Sequence, residues 1–303
     1  MARRWVWSIS AIAAVAIALC GLAGVVLCES ALRPSRRPVP SNPEARTVEV
    51  SARDGIVLRA WLLAPTTPNG NAVVILHGIA DSRASQLGLA GMFLDHGYAV
   101  LAPDSRAHGE SGGDLTTYGL LEADDLHRWV SWLIDDRQPG HIFGVGESLG
   151  GAVLIESLAI EPRFSAIVAD SSFSSFERIA QDRVAEKFPL PPRIGRLLAV
   201  PPIWAGFLYA RLRYGLDLRA ASPEAALARS TTPVLLIHGL GDRLTPPEHS
   251  KILAARNRRW AELWLVPGAG HTGAFAAAPL EFEDRVLGFF GAYQNLPGGM
   301  RER

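Results

Sequence analysis

The chain has 303 residues, 48% of them hydrophobic, which suffices for one large globular core plus an appendage. Thirty basic and thirty acidic side chains cancel, which excludes a global field drawing the protein to nucleic acid and leaves a small-molecule or acyl substrate as the expected partner. Both cysteines, Cys20 and Cys28, lie in one apolar run, so neither supplies a disulfide or a thiolate metal cluster to the globular part.

After a short basic start, residues 1–4, the run Trp5–Cys28 carries no charge. As a helix it extends roughly 36 Å against a bilayer core of roughly 30 Å, which predicts a transmembrane signal-anchor. Leu27-Cys28-Glu29-Ser30 is a poor cleavage site, and leucine before each cysteine is not the small residue usual in a bacterial lipoprotein signal, though cleavage and lipidation stay open. Arg3 and Arg4 on one flank balance Arg33, Arg36 and Arg37 on the other, so the membrane side is open too. Residues 29–46 hold four prolines without apolar periodicity and predict an extended, solvated linker.

A catalytic domain is expected over residues 47–296, followed by a tail, 297–303. Thr47–Ser51 and Ile56–Leu63 flank Asp54-Gly55 and predict an antiparallel hairpin. Six continuous apolar runs follow, Ala72–Leu76, Tyr98–Ala102, Ile142–Val145, Ala166–Ala169, Val234–Ile237 and Leu263–Val266, the pattern of buried parallel strands. Helix-length segments separate them, giving the alternation of a doubly wound α/β sheet. Residues 173–230 break that rhythm. Five prolines and several aromatics there predict a few short helices forming a lid, with Trp204, Phe207 and Tyr209 toward substrate or headgroups.

Gly146-Glu147-Ser148-Leu149-Gly150 lies between an apolar strand and an apolar helix, the setting in which a sharp turn presents a nucleophilic serine. Gly146 and Gly150 fit a strained turn that leaves no room for a β-carbon. A serine hydroxyl still needs a base and an oxyanion hole. His271, in the glycine-rich loop after the last strand, is the expected base, and Asp242, after the strand before it, the expected acid; Asp170 is the alternative acid. The oxyanion donors are expected to be the backbone N–H groups of Leu149 and of Ile79, which follows the bend at Gly78. His77, the polar stretch Asp104–Gly113 and the pair Asp124 and His127 read as structural or solvated groups, and no metal is expected.

These residues resemble the α/β-hydrolase superfamily, and more closely its small membrane-anchored serine hydrolases of the serine-aminopeptidase-like, or peptidase-like, branch. The resemblance covers about residues 47–293 and rests on the His77-Gly78 strand exit, the stretch Asp104–Gly113, the elbow, Ala169-Asp170-Ser171-Ser172-Phe173, His238-Gly239 to Asp242, and Gly270-His271. It implies an α/β-hydrolase fold and cofactor-free cleavage of an ester, thioester or amide through an acyl-enzyme. Glu147, where lipases often carry histidine, points within that resemblance to the peptidase-like and thioesterase-like branches. The expected activity is ester or thioester hydrolysis on an amphiphilic substrate. A serine peptidase and a non-catalytic membrane scaffold are the alternatives, and the oligomeric state is open.

Overall fold

The computed structural model describes residues 2–294. Eight strands, β1 (Arg46–Ser51), β2 (Val57–Leu63), β3 (Ala72–Leu76), β4 (Ala99–Pro103), β5 (Ile142–Glu147), β6 (Phe164–Asp170), β7 (Val234–Gly239) and β8 (Ala261–Val266), form one sheet in the order β1-β2-β4-β3-β5-β6-β7-β8. β1 and β2 are antiparallel, and β2 meets β4 antiparallel. Every later pairing is parallel. Gly55, at φ 84°, takes the left-handed position of the β1–β2 turn, as the Asp-Gly pair predicts.

The helices are α1 (Ala2–Leu32), α2 (Leu87–Asp95), α3 (Glu122–Arg137), α4 (Leu149–Ser157), α5 (Phe176–Ala185), α6 (Pro192–Tyr214), α7 (Pro223–Leu227), α8 (Glu248–Arg256), α9 (Ala274–Ala277) and α10 (Pro279–Gln294). They cover both faces of the sheet, so β3, β6 and β7 are buried along their whole length and read as unbroken apolar runs. One core layer joins Leu126, Val130, Leu154 and Leu253 of α3, α4 and α8 to the sheet. The other joins Phe93 of α2 and Phe290 of α10, with Phe290 stacked 4.2 Å from Phe143 of β5.

Two expectations are corrected. The first concerns the linker: α1 continues through Leu32, and the chain beyond it is tied to the domain instead of running free. Leu32 is fully buried, its carbonyl accepts the Thr116 N–H at 2.9 Å, and Tyr118 donates to the Ala31 carbonyl at 2.8 Å. Arg36 then donates to the carbonyls of Ser111 and Gly113, both at 2.5 Å. A guanidinium meeting turn carbonyls leaves no mark in apolar periodicity.

The second concerns the insertion. α6 runs for 23 residues straight through Pro201 and Pro202. Tertiary packing offsets the lost N–H donors: α6 lies on α1 and α5, and Arg196 pairs with Asp182 of α5 at 2.5 Å. The α1–α6 contact is a close backbone approach. A β-carbon on Gly24 would stand 2.5 Å from the Pro202 carbonyl oxygen, and one on Gly206 would stand 2.8 Å from that of Gly24. The segment Ala13–Leu32, with mean hydropathy 2.2, is long and apolar enough to cross a membrane. Gly206→Leu should therefore wedge α1 from α6 at a cost of about 1–3 kcal/mol. Thermal unfolding of the full chain in detergent micelles should show a melting temperature lower by roughly 2–4 °C per kcal/mol; an unchanged value would mean that the helices are not docked.

Candidate active site

At the end of β5 the chain turns directly into α4, and Ser148 stands at the tip with φ 53° and ψ −111°. Such a backbone is costly for a residue with a side chain and persists only where its surroundings fix it. Here the Ser148 N–H donates to the Asp170 carbonyl at 2.8 Å. The neighbours have no space for side chains: a β-carbon on Gly146 would lie 2.4 Å from the Gly150 carbonyl carbon, and one on Gly150 would lie 2.3 Å from the Leu76 carbonyl oxygen.

His271 reaches Ser148 from the loop after β8. Its Nε2 accepts the Ser148 hydroxyl at 3.0 Å, and its Nδ1–H donates to Asp242 Oδ2 at 2.7 Å. A carboxylate beside Nδ1 fixes the proton there and leaves Nε2 free to accept. The second carboxylate oxygen of Asp242 accepts the N–H groups of Leu244 and Thr245, both at 2.9 Å. Burial works against the charge of Asp242, but bonds from His238, His271 and the Thr245 N–H outweigh it and hold the carboxyl well below the usual carboxylate range.

His238 was not assigned a role from sequence. It lies one helical turn's spacing before Asp242, fully buried, with Nε2 3.2 Å from Asp242 Oδ2 and 2.7 Å from the Thr245 carbonyl. Two acceptors at Nε2 put its proton there, and Nδ1 accepts from Ser250 at 2.6 Å. This ring and His271 thus share the same carboxylate oxygen of Asp242.

Asp170, the alternative acid, turns elsewhere. Its Oδ1 accepts the Ser171 hydroxyl at 3.0 Å, and Ser171 Oγ in turn accepts the Thr272 N–H at 3.0 Å, so it braces the His271 loop through an intermediary. Asp170 also sits opposite Glu147 in the β5–β6 register. Burial, then the neighbouring Glu147 charge, push its carboxyl up to about 7; burial also raises Glu147, which accepts from Gln86 at 2.9 Å.

Ile79 and Leu149 both line the cavity beside Ser148, and a β-carbon on Gly78 would come within 3.5 Å of the Ser148 β-carbon. The Leu149 N–H opens α4, where first-turn donors have no helical acceptor. The cavity measures about 630 Å³ and is lined by Ser148, His271, Tyr118, Phe173, Phe176 and Phe207, among others. Of the three lid aromatics singled out from sequence, Phe207 faces this space. Trp204 instead lies half exposed beneath the Arg219 guanidinium, and Tyr209 donates to Glu29 at 2.8 Å.

The remaining polar groups serve the scaffold. His77 Nε2 accepts the Ser105 N–H at 3.1 Å. Asp104 accepts the N–H groups of Arg83 and Glu110 at 2.7 and 2.8 Å and pairs with the Arg83 guanidinium. Asp124 pairs with Arg128 and His127 with Glu161. Among the described residues no group of three or more His, Cys, Asp or Glu is arranged to hold a metal.

This fold and this elbow are those of an α/β-hydrolase, and the chain belongs to the Alpha/beta hydrolase family, whose sequence model matches residues 73–285. It is similar to the uncharacterized protein YqkD of Bacillus subtilis (strain 168), 29% identical over 225 residues that make up 73% of this chain and 71% of YqkD. A monoacylglycerol lipase of Mycolicibacterium smegmatis is 27% identical over 230 residues, 66% of this chain and 80% of the lipase. Among solved structures, the Pyrococcus furiosus esterase Pf2001 superposes with a TM-score of 0.70 at 26% identity, over 87% of this chain and 100% of the esterase. The chain is a hydrolase of that superfamily.

Gly150→Ala should cost about 1–3 kcal/mol, because backbone, not a flexible side chain, meets the added methyl; a wild-type melting temperature in that variant would refute the close approach. Asp170 gives a pH signature. Between about pH 4 and about pH 7 the unfolded chain has released this proton while the folded chain retains it, so stability falls as pH rises across that window. Asp170→Asn removes the penalty and keeps an acceptor for Ser171. Its melting temperature should exceed wild type at pH 8 and converge with it near pH 4, in a series of thermal scans across that range.

Proposed function

We propose that this hydrolase is a membrane-anchored serine enzyme that cleaves a carboxylic ester or thioester of an amphiphilic acyl substrate through an acyl-enzyme. The observation that carries this reading is the hydrogen-bonded chain Asp242–His271–Ser148 at the floor of an apolar cavity. Ser148 Oγ attacks the acyl carbonyl carbon while His271 Nε2 takes its proton. The carbonyl oxygen becomes an oxyanion that accepts from the N–H groups of Leu149 and Ile79. As the carbon–oxygen or carbon–sulfur bond breaks, His271 returns the proton to the leaving alcohol or thiol. Water then repeats the sequence and releases the carboxylic acid. Asp242 stays ionised throughout, orienting the imidazole and stabilising its cationic form.

The lining is mostly apolar, and Glu186, the carboxylate on it, is paired with Arg183, which supports a long acyl group over an aminoacyl amide; α1 supports a membrane site for the domain. Labelling the purified full chain with a fluorophosphonate tests the chemistry. Wild type should label; Ser148→Ala and His271→Ala should not. Ser148→Ala should lower the turnover of acyl esters by about 10⁶-fold, and Asp242→Asn by about 10⁴-fold. A folded wild type that neither labels nor turns over esters or thioesters overturns the reading, and preferential cleavage of aminoacyl amides replaces it with a peptidase.

A further inference from the structure

The cavity that ends at Ser148 is not closed by the catalytic domain alone. Gly24, Leu27, Cys28 and Ala31 of α1 line it together with Phe176 and Phe207. Their spacing, i, i+3, i+4 and i+7, puts them on one face of the helix. Leu19, Leu22 and Val26 are exposed on the remainder of the same helix. A segment that only had to hold the domain at a bilayer would need length and apolarity, with no particular face turned to the site. Here the small side chain of Ala31 leaves room beside the cavity, and Gly24 lets α6 close against the same helix.

Polar contacts hold this wall in place at its domain end. Glu29 accepts the Tyr209 hydroxyl at 2.8 Å, the Tyr214 hydroxyl and the Arg33 guanidinium at 2.8 Å. Tyr118, itself a cavity residue, donates to the Ala31 carbonyl at 2.8 Å. Gly24 meets Pro202 and Gly206 while Glu29 meets Tyr209 and Tyr214, so α1 and α6 run in the same direction. The outer side of α6 carries Leu197, Pro201, Trp204, Leu208 and Leu212 at i, i+4, i+7, i+11 and i+15, all exposed. An exposed apolar stripe of that length beside a helix able to cross a bilayer is matched to lipid rather than to water.

We infer that α1 is part of the substrate site: its face Gly24-Leu27-Cys28-Ala31 is the wall against which the acyl chain lies, and the substrate is an acyl lipid taken from the bilayer that α1 enters. This rests on the proposed serine hydrolase, since the wall borders that same cavity. Chain-length preference is then set by α1 as well as by the insertion, residues 173–230. An acyl chain leaving the bilayer along α1 keeps apolar contact up to Ser148, so little of its surface is exposed to water on the way.

The test uses the full chain in detergent micelles, with a fluorophosphonate and a series of p-nitrophenyl esters from acetate to palmitate. Leu27→Trp and Ala31→Phe fill the wall. Each should lower the ratio of kcat/KM for palmitate to that for acetate by roughly tenfold or more, because a few methylenes of lost contact are worth that much. Leu27→Ala enlarges the wall and should shift the preference toward longer chains, which reads the same contact if a filling variant fails to fold. Leu22→Trp, on the exposed part of α1, should leave the profile as in wild type. Wild-type profiles in all three Leu27 and Ala31 variants would overturn the wall, and so would a shift in Leu22→Trp equal to theirs. A wild type inert to the probe and to every ester would overturn the hydrolase reading itself, a result distinct from both.

Discussion

Much of this molecule depends on one steric condition, that a strand and a helix meet at Ser148 with nothing larger than hydrogen on either side. With Ser148 at φ 53°, α4 leaves β5 so tightly that Gly150 rests on the Leu76 carbonyl of β3 and Gly146 on Gly150. The pleat alternates side-chain direction, so β5 must end where it does for the hydroxyl to leave the sheet at its carboxyl edge. The strand order β3-β5-β6-β7-β8 then brings Asp170 at the end of β6 and the loops carrying Gly78, Asp242 and His271 around that edge. Ile79, Leu149 and His271 meet at one cavity beside Ser148 as a result.

The buried carboxylates around this edge have opposite fates, and the difference is the number of donors each receives. Asp242 accepts from two backbone N–H groups and two imidazoles, so its charge survives burial. Asp170 and Glu147 face each other across β5 and β6, with a serine hydroxyl for one and a glutamine amide for the other. One neutral donor apiece does not offset the desolvation, so burial raises both carboxyls, and the neighbouring Glu147 charge raises Asp170 further. Asp242, bonded to the His271 imidazole, keeps its charge beside that ring, while burial shifts the other two carboxyls toward their protonated forms.

The parts of this arrangement legible in the sequence are those written in local patterns. Continuous apolar runs mark buried strands whatever surrounds them, and all eight strands lie where such runs or the Asp-Gly hairpin put them. Ser148, Asp242 and His271 are picked out by their order after those strands, and they are the three that the fold brings within hydrogen-bonding distance. What escaped is tertiary. Pro201 and Pro202 favour a break by their own chemistry, and only the helices packed on either side of α6 overcome that preference. Tyr209 reads as a pocket aromatic until Glu29, 180 residues earlier, takes its hydroxyl. His238 carried a usable signal, since a histidine four residues before the acid in a strand-exit loop is placed to touch it.

The amino-terminal helix was harder still, because an apolar run of spanning length explains itself as an anchor and invites no second question. Its small residues carry the further information. Gly24 and Gly206 let two backbones approach, a device that matters most where lipid, being as apolar as leucine, gives helices no hydrophobic reason to associate. In water the stripe on α6 would cost about 25 cal/mol for each Å² left exposed, and the Glu29 cluster would be a surface network of small worth. Under lipid both effects change: the stripe is solvated, and polar groups that have found partners resist separation because no water is at hand to replace them. The contacts that bind α1 to α6 would therefore be stronger under lipid than in water, and the cavity that α1 helps to line would be better fixed there.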